Sequence, residues 1–581
     1  MVRSLAEADA ATALAASRPH IVPSELAAAA HEDKLRAIGA EARSSFEAAH
    51  GASPNGLVSS PWWLLNLAEL EIEAGDKAGA RDTLTAAQAI PGNNPAGLPG
   101  TTEGRLAMLW VRAGDSATAH RYAESISKPA DRLSALGEYG AALAHAGDLA
   151  GANVAMETVA RAPEPEDDSA TRPAVGQIAL ATMPPRDLAI RKIGTALAEK
   201  HDMRGALRAA SLLTEDRLHA GLLADIASKQ CTDRDGGAFE TLRLADEAVH
   251  GLKDPGHFGP VDTFVYALAA CGDVARAADV ARELAPKRTA MVLGQVAGLL
   301  MEHGDRDRSR QVDAVNVDAL TDVYGLLNLA KREIARGDVE LAKPHIAGAS
   351  AMTLEAVRSK RVAGRPLHEI LDALSPVASI ADTQATVGAY ADAIHTIEVE
   401  DPINRPQFFV SLVAAAVTRH DGNGVKESLR TVFNAARQAN VEFPLNHLTH
   451  LVASLANAGY FAEARQILGL VPQSGRQSEM FAGAQAALGD IDGAHTTLYA
   501  LDLTDAQRTQ SLVRIALGRH DLASALDALK GGAPDDALSS IASAQAKNGD
   551  LTAAMATAWQ IRGLGLRAET LVALLKALKR S

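Results

Sequence analysis

At 581 residues and 47% hydrophobic composition the chain can bury an extensive core, while a net charge of −14 and a pI near 5.7 oppose general affinity for nucleic acid or anionic membranes. No run reaches the roughly 18 apolar residues of a membrane-spanning helix, so no membrane insertion is expected. Aromatic residues make up only 4% of an alanine-rich chain of bacterial character, a composition that suits closely spaced helices.

Taken in chain order, residues 1–50 predict a helical N-terminal cap, two alanine-rich helices broken by Pro19 and by Pro23-Ser24-Glu25. Met1 to Arg18 carry Glu7 and Asp9 and lack an uninterrupted apolar core, so no signal peptide is expected. This predicts a cytoplasmic protein, or a periplasmic or secreted one if a leader was removed. A repeat array is predicted over 51–347, becoming regular near Pro61-Trp62-Trp63. It is interrupted by a Gly-, Pro- and Asn-rich stretch at 88–104, an acidic loop with Glu164 to Asp168 at 161–173, and a segment with His250, Pro255, His257 and Pro260 at 250–262. The period decays between 348 and 402, which predicts an irregular helical hinge. A second array follows over 403–581, closed by a helix from about Arg567 whose Lys576, Lys579 and Arg580 suit a helix C-terminus.

One phrase recurs along the arrays: glycine or histidine, then aspartate, then alanine four residues after the aspartate. It stands at Gly75-Asp76, Gly114-Asp115, Gly147-Asp148, His201-Asp202, Gly272-Asp273, Gly337-Asp338, Gly489-Asp490, His520-Asp521 and Gly549-Asp550. Weaker copies fall at Gly304-Asp305, His420-Asp421 and Gly459-Tyr460. The best-spaced neighbours lie 29 to 39 residues apart, the period of stacked supersecondary units. Eight residues before each turn stands a large apolar residue followed by a small or slim one, as in Leu67-Ala68, Tyr139-Gly140, Phe264-Val265 and Ile541-Ala542. On a helical apolar stripe this pair supplies a knob and a gap, so each unit is expected to be two antiparallel helices. Glycine ends the first helix in the left-handed conformation, and histidine is among the residues that tolerate it. The aspartate caps the second helix, and the alanine sits at the close crossing. The predicted fold class is all-α, an α-solenoid of stacked antiparallel helix pairs.

These phrases, with Leu106-Ala107, Trp110, Gly114-Asp115 and Ala119 as one of the fullest, resemble the tetratricopeptide repeat in offset and order. About twelve units are recognisable between residues 60 and 565, with the family's early aromatic mostly absent and its closing proline irregular. Three gaps exceed one unit: Gly147 to His201, His201 to Gly272, and Gly337 to His420. The second holds a degenerate copy read as Leu223-Ala224 leading to a turn around Cys231 to Gly237. The resemblance implies a right-handed superhelix whose first helices line a concave binding face, at the positions six and two residues before each turn glycine. Those positions hold Glu69, Glu73, Arg112, His145, Glu199, Tyr266, Lys331, Asn457, Arg514 and Lys547. It names no ligand. The implied groove is shallow, mixed in charge and poor in aromatics, which suits a helix or an extended peptide better than stacked bases.

No local chemistry competes strongly with that reading. The turn aspartates are explained as helix caps. His447 and His450 stand three apart on a predicted helix but lack a third ligand, and Asp167-Asp168 is followed at the useful spacing by Thr171 rather than an acid. Gly97 to Gly104 and Gly563-Leu564-Gly565 lack a phosphate-binding Lys-Ser/Thr element and are expected to be turns. Cys231 and Cys271 are too few to define a disulfide framework and are expected to pack in a core or turn. Arginines recur at the start of first helices, at Arg105, Arg132, Arg186, Arg217, Arg288, Arg405, Arg476 and Arg508. They are expected to meet the C-terminal carbonyls of the preceding helix rather than to form a ladder for an acidic ligand. The expected function is a non-enzymatic protein or peptide interaction scaffold, with no cofactor, no catalytic residue, no metal and no nucleic-acid partner. Two alternatives are an enzyme with a non-local active site in 161–262 or 348–402, and an RNA-binding helical repeat.

Overall fold

The computed structural model describes residues 38–46, 61–73, 75–90, 101–165, 183–253, 259–363, 375–399, 405–438, 445–471 and 473–580. Among the described residues every regular element is a helix. The chain divides into two compact units, one formed by residues 1–286 with 538–581 and the other by 287–537.

In the first unit, α1 covers residues 38–46, and six helix pairs follow. They are α2 (Pro61–Glu73) with α3 (Lys77–Ala89), α4 (Thr101–Arg112) with α5 (Ser116–Ser125), and α6 (Pro129–His145) with α7 (Leu149–Arg161). Next come α8 (Pro185–Glu199) with α9 (Met203–Leu212), α10 (Asp216–Asp233) with α11 (Ala238–His250), and α12 (Pro260–Ala270) with α13 (Val274–Leu284). The first helices α2, α4, α6, α8, α10 and α12 pack in series, each also against its own second helix. This is an α-solenoid of tetratricopeptide-like helix pairs.

The second unit repeats the pattern. It pairs α14 (Thr289–Glu302) with α15 (Arg306–Asn316), α16 (Val323–Arg336) with α17 (Val339–Val362), and α18 (Val377–Thr386) with α19 (Tyr390–Ile397). It continues with α20 (Arg405–Thr418) and α21 (Gly422–Gln438), α22 (Leu445–Asn457) and α23 (Phe461–Gly469), α24 (Glu479–Ala487) and α25 (Ile491–Ala500), and α26 (Asp505–Gly518) and α27 (Leu522–Ala528). The chain then returns to the first unit through α28 (Asp535–Lys547), α29 (Leu551–Ala558) and α30 (Leu564–Arg580). There α30 packs on α2, and Ile38 and Ala42 of α1 share one core with Leu67, Leu571 and Leu574.

The turn inside most pairs is built as the phrase predicts, and its hydrogen bonds show why. Gly75 has φ +84°; its N–H donates to the Ile72 carbonyl at 3.0 Å, and the Asp76 N–H donates to the Glu71 carbonyl at 2.8 Å. These two bonds satisfy carbonyls that the ending helix would otherwise leave open. The Asp76 carboxylate then accepts the Gly79 N–H at 2.9 Å, capping the next helix. His201, His420 and His520 take the glycine role at φ +63°, +54° and +59°. The alanines four residues beyond the aspartates, Ala80, Ala119, Ala152, Ala206, Ala277, Ala494 and Ala554 among them, are all fully buried. The small residue of the large-small pair is equally constrained: a Cβ on Gly140 would lie 2.6 Å from Ile193 Cδ1, and one on Gly194 would lie 2.7 Å from Ala209 Cβ.

Several expectations need correction. The degenerate copy in the second gap is set three residues later than Leu223-Ala224. Ile226-Ala227 is its large-small pair, both fully buried, and Arg234 at φ +59° with Asp235 forms the turn. An arginine in the left-handed position, with the Asp235 N–H bonded to the Gln230 carbonyl at 2.8 Å, hid the phrase from a search for glycine or histidine. Within 348–402 a further unit stands at α18 and α19, turning at Gly388 with φ +81°. Its cap position is Ala389, so no aspartate marked it. Gly104 and Gly565 lie in helices, not turns; Gly104 is admitted where a Cβ would come within 2.8 Å of Glu138 Cγ. The acidic pair Asp167-Asp168 and the predicted prolines Pro19 and Pro23 lie outside the described residues.

The cysteines also depart from expectation, because Cys231 and Cys271 are disulfide-bonded with Cα atoms 5.0 Å apart. Cys231, three residues before its turn on α10, lies beside Cys271, the residue that follows α12, a proximity set by repeat stacking and not by spacing in the chain.

In the second unit a charged network replaces part of the apolar packing between α15, α16 and α17. Asp313, nearly buried, accepts from Arg332 at 2.6 Å and from Arg336 at 2.6 Å, and Arg336 also reaches Ser309 at 2.9 Å. Arg310 clamps Asp338, which also lies 3.4 Å from Arg336. Removing one member strands the others in a low-dielectric site.

These contacts set three groups of stability changes. Asp273 accepts the Arg276 N–H at 3.0 Å, so Asp273→Ala is expected to cost about 1 kcal/mol, and Ala277→Leu roughly 1 to 3 kcal/mol through overpacking; urea melts of both variants check this. Asp313→Ala should cost about 3 to 5 kcal/mol by taking from buried Arg336 its nearest carboxylate and leaving it only the longer Asp338 contact, while Asp313→Leu/Arg336→Met should lose much less, measured as a double-mutant cycle. Reduction of the Cys231–Cys271 bond, which closes a separation of 40 residues, should cost about 2 to 4 kcal/mol; denaturation with and without reductant measures it.

Candidate functional site

The first helices present a polar stripe that runs from repeat to repeat, because their apolar stripe is consumed by the second helix and by neighbouring repeats. On this stripe in the first unit, acid and base alternate between successive helices. Glu69 on α2 receives Arg105 at 2.7 Å and Arg112 at 2.6 Å, both from α4. Arg105 also donates to Asn66 at 2.8 Å and lies over the Trp62 ring at 4.9 Å. Glu138 on α6 pairs with Lys192 on α8. His145 on α6 lies 3.7 Å from Glu199 on α8, and Arg191 on α8 lies 3.5 Å from Asp225 on α10. In the second unit Lys331 donates to Ser379 at 2.9 Å, and Glu479 faces Arg514 at 3.6 Å and Ser511 at 2.5 Å.

The structure therefore brings Glu69 to Arg112 and His145 to Glu199, and gives Lys331 and Arg514 partners on adjacent first helices. Glu73, Asn457 and Lys547 are exposed at the C-terminal residues of α2, α22 and α28, and Tyr266 is half-buried. The partners Arg105, Glu138, Lys192, Asp225 and Glu479 were not among the expected residues. A signal existed: Arg105, Glu138 and Lys192 all stand nine residues before the turn, one helical turn from the chosen positions.

Electrostatics follow from partial burial. Burial raises the Glu69 carboxyl, but hydrogen bonds from Arg112 and Arg105 outweigh it and hold the group below the usual carboxylate value. At Asp225 burial dominates the Arg191 contact, so its pKa is raised.

Three of the arginines at helix starts meet backbone. Arg132 reaches the Ile126 carbonyl at 3.3 Å, Arg476 that of Val471 at 3.2 Å and Arg508 that of Leu503 at 3.1 Å. Arg105 and Arg186 differ, since Arg186 faces Glu164 at 3.6 Å and Asp187 at 3.5 Å. Asp187 itself is fully buried and accepts the Thr214 and Glu215 N–H groups at 2.8 and 2.7 Å, which ties α8 to the segment entering α10, a helix capped by Glu215.

A cleft of about 480 Å³ opens in the second unit where α17 meets α18 and α19. Ile346, Leu354 and Val387 give it an apolar lining, with Lys343, Asp392 and His395 also on its wall. Asp392 and His395 share one turn of α19, and His395 lies 3.5 Å from Glu398. His447 is half-buried and His450 exposed on α22. Among the described residues no three His, Cys, Asp or Glu side chains are grouped to hold a metal ion.

No family model matches the chain, and no curated protein matches it. Among solved structures it is similar to the pentatricopeptide repeat protein PPR10 from maize in complex with an 18-nt psaJ RNA element, at 11% identity over 96% of this chain and 83% of that one, TM-score 0.37. It is also similar to yeast Tom70, at 12% identity over 86% of this chain and 96% of that one, TM-score 0.24. The human IFIT1 dimer with PPP-AAAA gives 12% identity over 85% and 94%, TM-score 0.22. The fold is read from this chain's own helix pairs.

Glu69 gives the stripe a measurable handle. Glu69→Gln is expected to cost about 1 kcal/mol or less at pH 7, since the pair is partly solvated. A carboxyl with a lowered pKa contributes stability above its unfolded value of about 4.5 and loses it as pH falls through the folded value. Wild type and variant should therefore converge as pH falls below that unfolded value and through the folded one, as followed by urea denaturation across pH.

Proposed function

We propose that the protein is a non-enzymatic scaffold that holds a polypeptide segment along the polar stripe of its first helices. The observation that carries this reading is the pairwise cancellation of charge on that stripe: Arg105 and Arg112 by Glu69, Lys192 by Glu138, and Arg191 by Asp225. A polyanion such as RNA binds largely by exchanging its counterions for unpaired cations, and these cations are already paired within the chain. A polypeptide needs donors and acceptors of both signs at short intervals, which an alternating stripe offers. The Cys231–Cys271 bond favours an oxidising compartment over the cytoplasm.

The test compares wild type with Arg112→Glu/Lys331→Glu/Arg514→Glu by affinity capture from the native cell, with circular dichroism to establish that the variant is folded. Loss of a polypeptide partner from the folded variant is the expected result. An unchanged partner set, or recovery of nuclease-sensitive nucleic acid in place of polypeptide, overturns the proposal.

A further inference from the structure

The residue four places before the turn recurs with polar character, as Glu71, Gln230, Glu333, Gln384, Gln485 and Gln545, all of them buried except the half-buried Gln485. In two units its side chain is met from twelve residues further on, in the second helix: Thr497 donates to Gln485 at 2.7 Å, and His345 Nδ1 lies 2.9 Å from Glu333. Gln230, Gln384 and Gln545 each keep a side-chain oxygen without a hydrogen-bond partner among the described residues, but these are neutral amides. Glu71 is an acid in that condition. It is 2% exposed, and among the described residues neither carboxylate oxygen meets hydrogen-bond geometry with a donor, although Thr83 and Arg43 lie on that side of it.

The surroundings of Glu71 are an interface between elements, not the interior of one. A Cβ on Gly39 of α1 would come within 2.9 Å of Glu71 Oε1, so α1 is seated directly on the carboxyl. The cation facing it among the described residues, Arg43 of α1, is committed to the Gly79 carbonyl at 2.6 Å and to Thr83 at 3.2 Å, with Asp82 3.7 Å away. Asp76 and Asp82, from the turn and α3, face it with like charge. The C-terminal helices bring apolar side chains, Leu571 and Leu574 among them, to the core that holds Ile38 and Ala42 of α1. Phe46 of α1 stacks on Trp63 of α2 with centroids 4.7 Å apart.

We propose that α1 is a pH-sensitive latch on the first repeat, seated when Glu71 is protonated and released when Glu71 ionises. A buried carboxylate without donors is costly, whereas the protonated acid is tolerated. Burial, opposed by Thr83 and Arg43 and reinforced by Asp76 and Asp82, raises the group to about 7. The sign is fixed by linkage: the seated state holds the proton between about 4.5 and 7 while the released state does not, so seating is strongest below that window and weakens as pH rises through it. Release of α1 would also withdraw Ile38 and Ala42 from the core shared with α28 to α30.

Hydrogen exchange of the full-length chain tests this at residues 38–46, after correction for intrinsic rates. The expected result in wild type is a loss of protection on the order of 50-fold between pH 5 and pH 8, relative to α8 as an internal reference. Glu71→Gln should flatten that dependence while keeping α1 protected at pH 8. The substitution is compatible with folding, because Gln230, Gln384, Gln485 and Gln545 occupy the equivalent position in other units. Wild-type protection that is the same at both pH values overturns the latch, as does an undiminished pH dependence in Glu71→Gln.

Discussion

Everything in this fold hangs on reversing the chain between two helices within two residues. The reversal needs one residue at positive φ and one acceptor immediately after it, so that the last carbonyls of one helix and the first N–H groups of the next are satisfied at a single point. Because the turn is so short, the paired helices must run nearly in contact, and that contact forces alanine four residues beyond the aspartate and a slim residue seven before the turn. Tight packing within each pair then leaves only one stripe of each first helix uncommitted. The polar face, and whatever it binds, is a remainder left by the geometry of the turn.

How much of this could be seen in the sequence depended on which part of the turn had changed. Where glycine or histidine preceded aspartate, the unit was visible with its register. Gly388-Ala389 kept the backbone requirement but lost the aspartate, and Arg234-Asp235 kept the aspartate but placed a long side chain in the left-handed region; neither carries both halves of the phrase. The Cys231–Cys271 bond was invisible for a different reason. Its partners belong to adjacent repeats at different positions relative to their turns, and the stacking that brings them together is a tertiary fact with no periodic trace. Gly104 was misread as a loop residue because a glycine required for close approach of another helix looks, in sequence, like one required for a turn.

The expected face fared similarly. Positions two and six before the turn were identified by resemblance, and several do lie on a shared stripe, but half of its chemistry resides at the position nine before the turn. A list of side chains on single helices cannot show that Glu69 is claimed by two arginines of the next repeat, since stacking decides which charges meet. The stripe is best regarded as a set of contacts between repeats that also faces outward. Its charge balance is therefore a property of the array and not of any one unit.

The covalent bond between α10 and α12 has a mechanical meaning. A solenoid drawn out from its ends yields by peeling neighbouring repeats apart, since each is held only by the next. Across Cys231 and Cys271 that peeling is blocked, and the chain between them, a separation of 40 residues worth roughly 140 Å when extended, cannot be drawn out. Force entering from either side is passed across this junction through sulfur and not through side-chain packing, so extension must begin in other repeats.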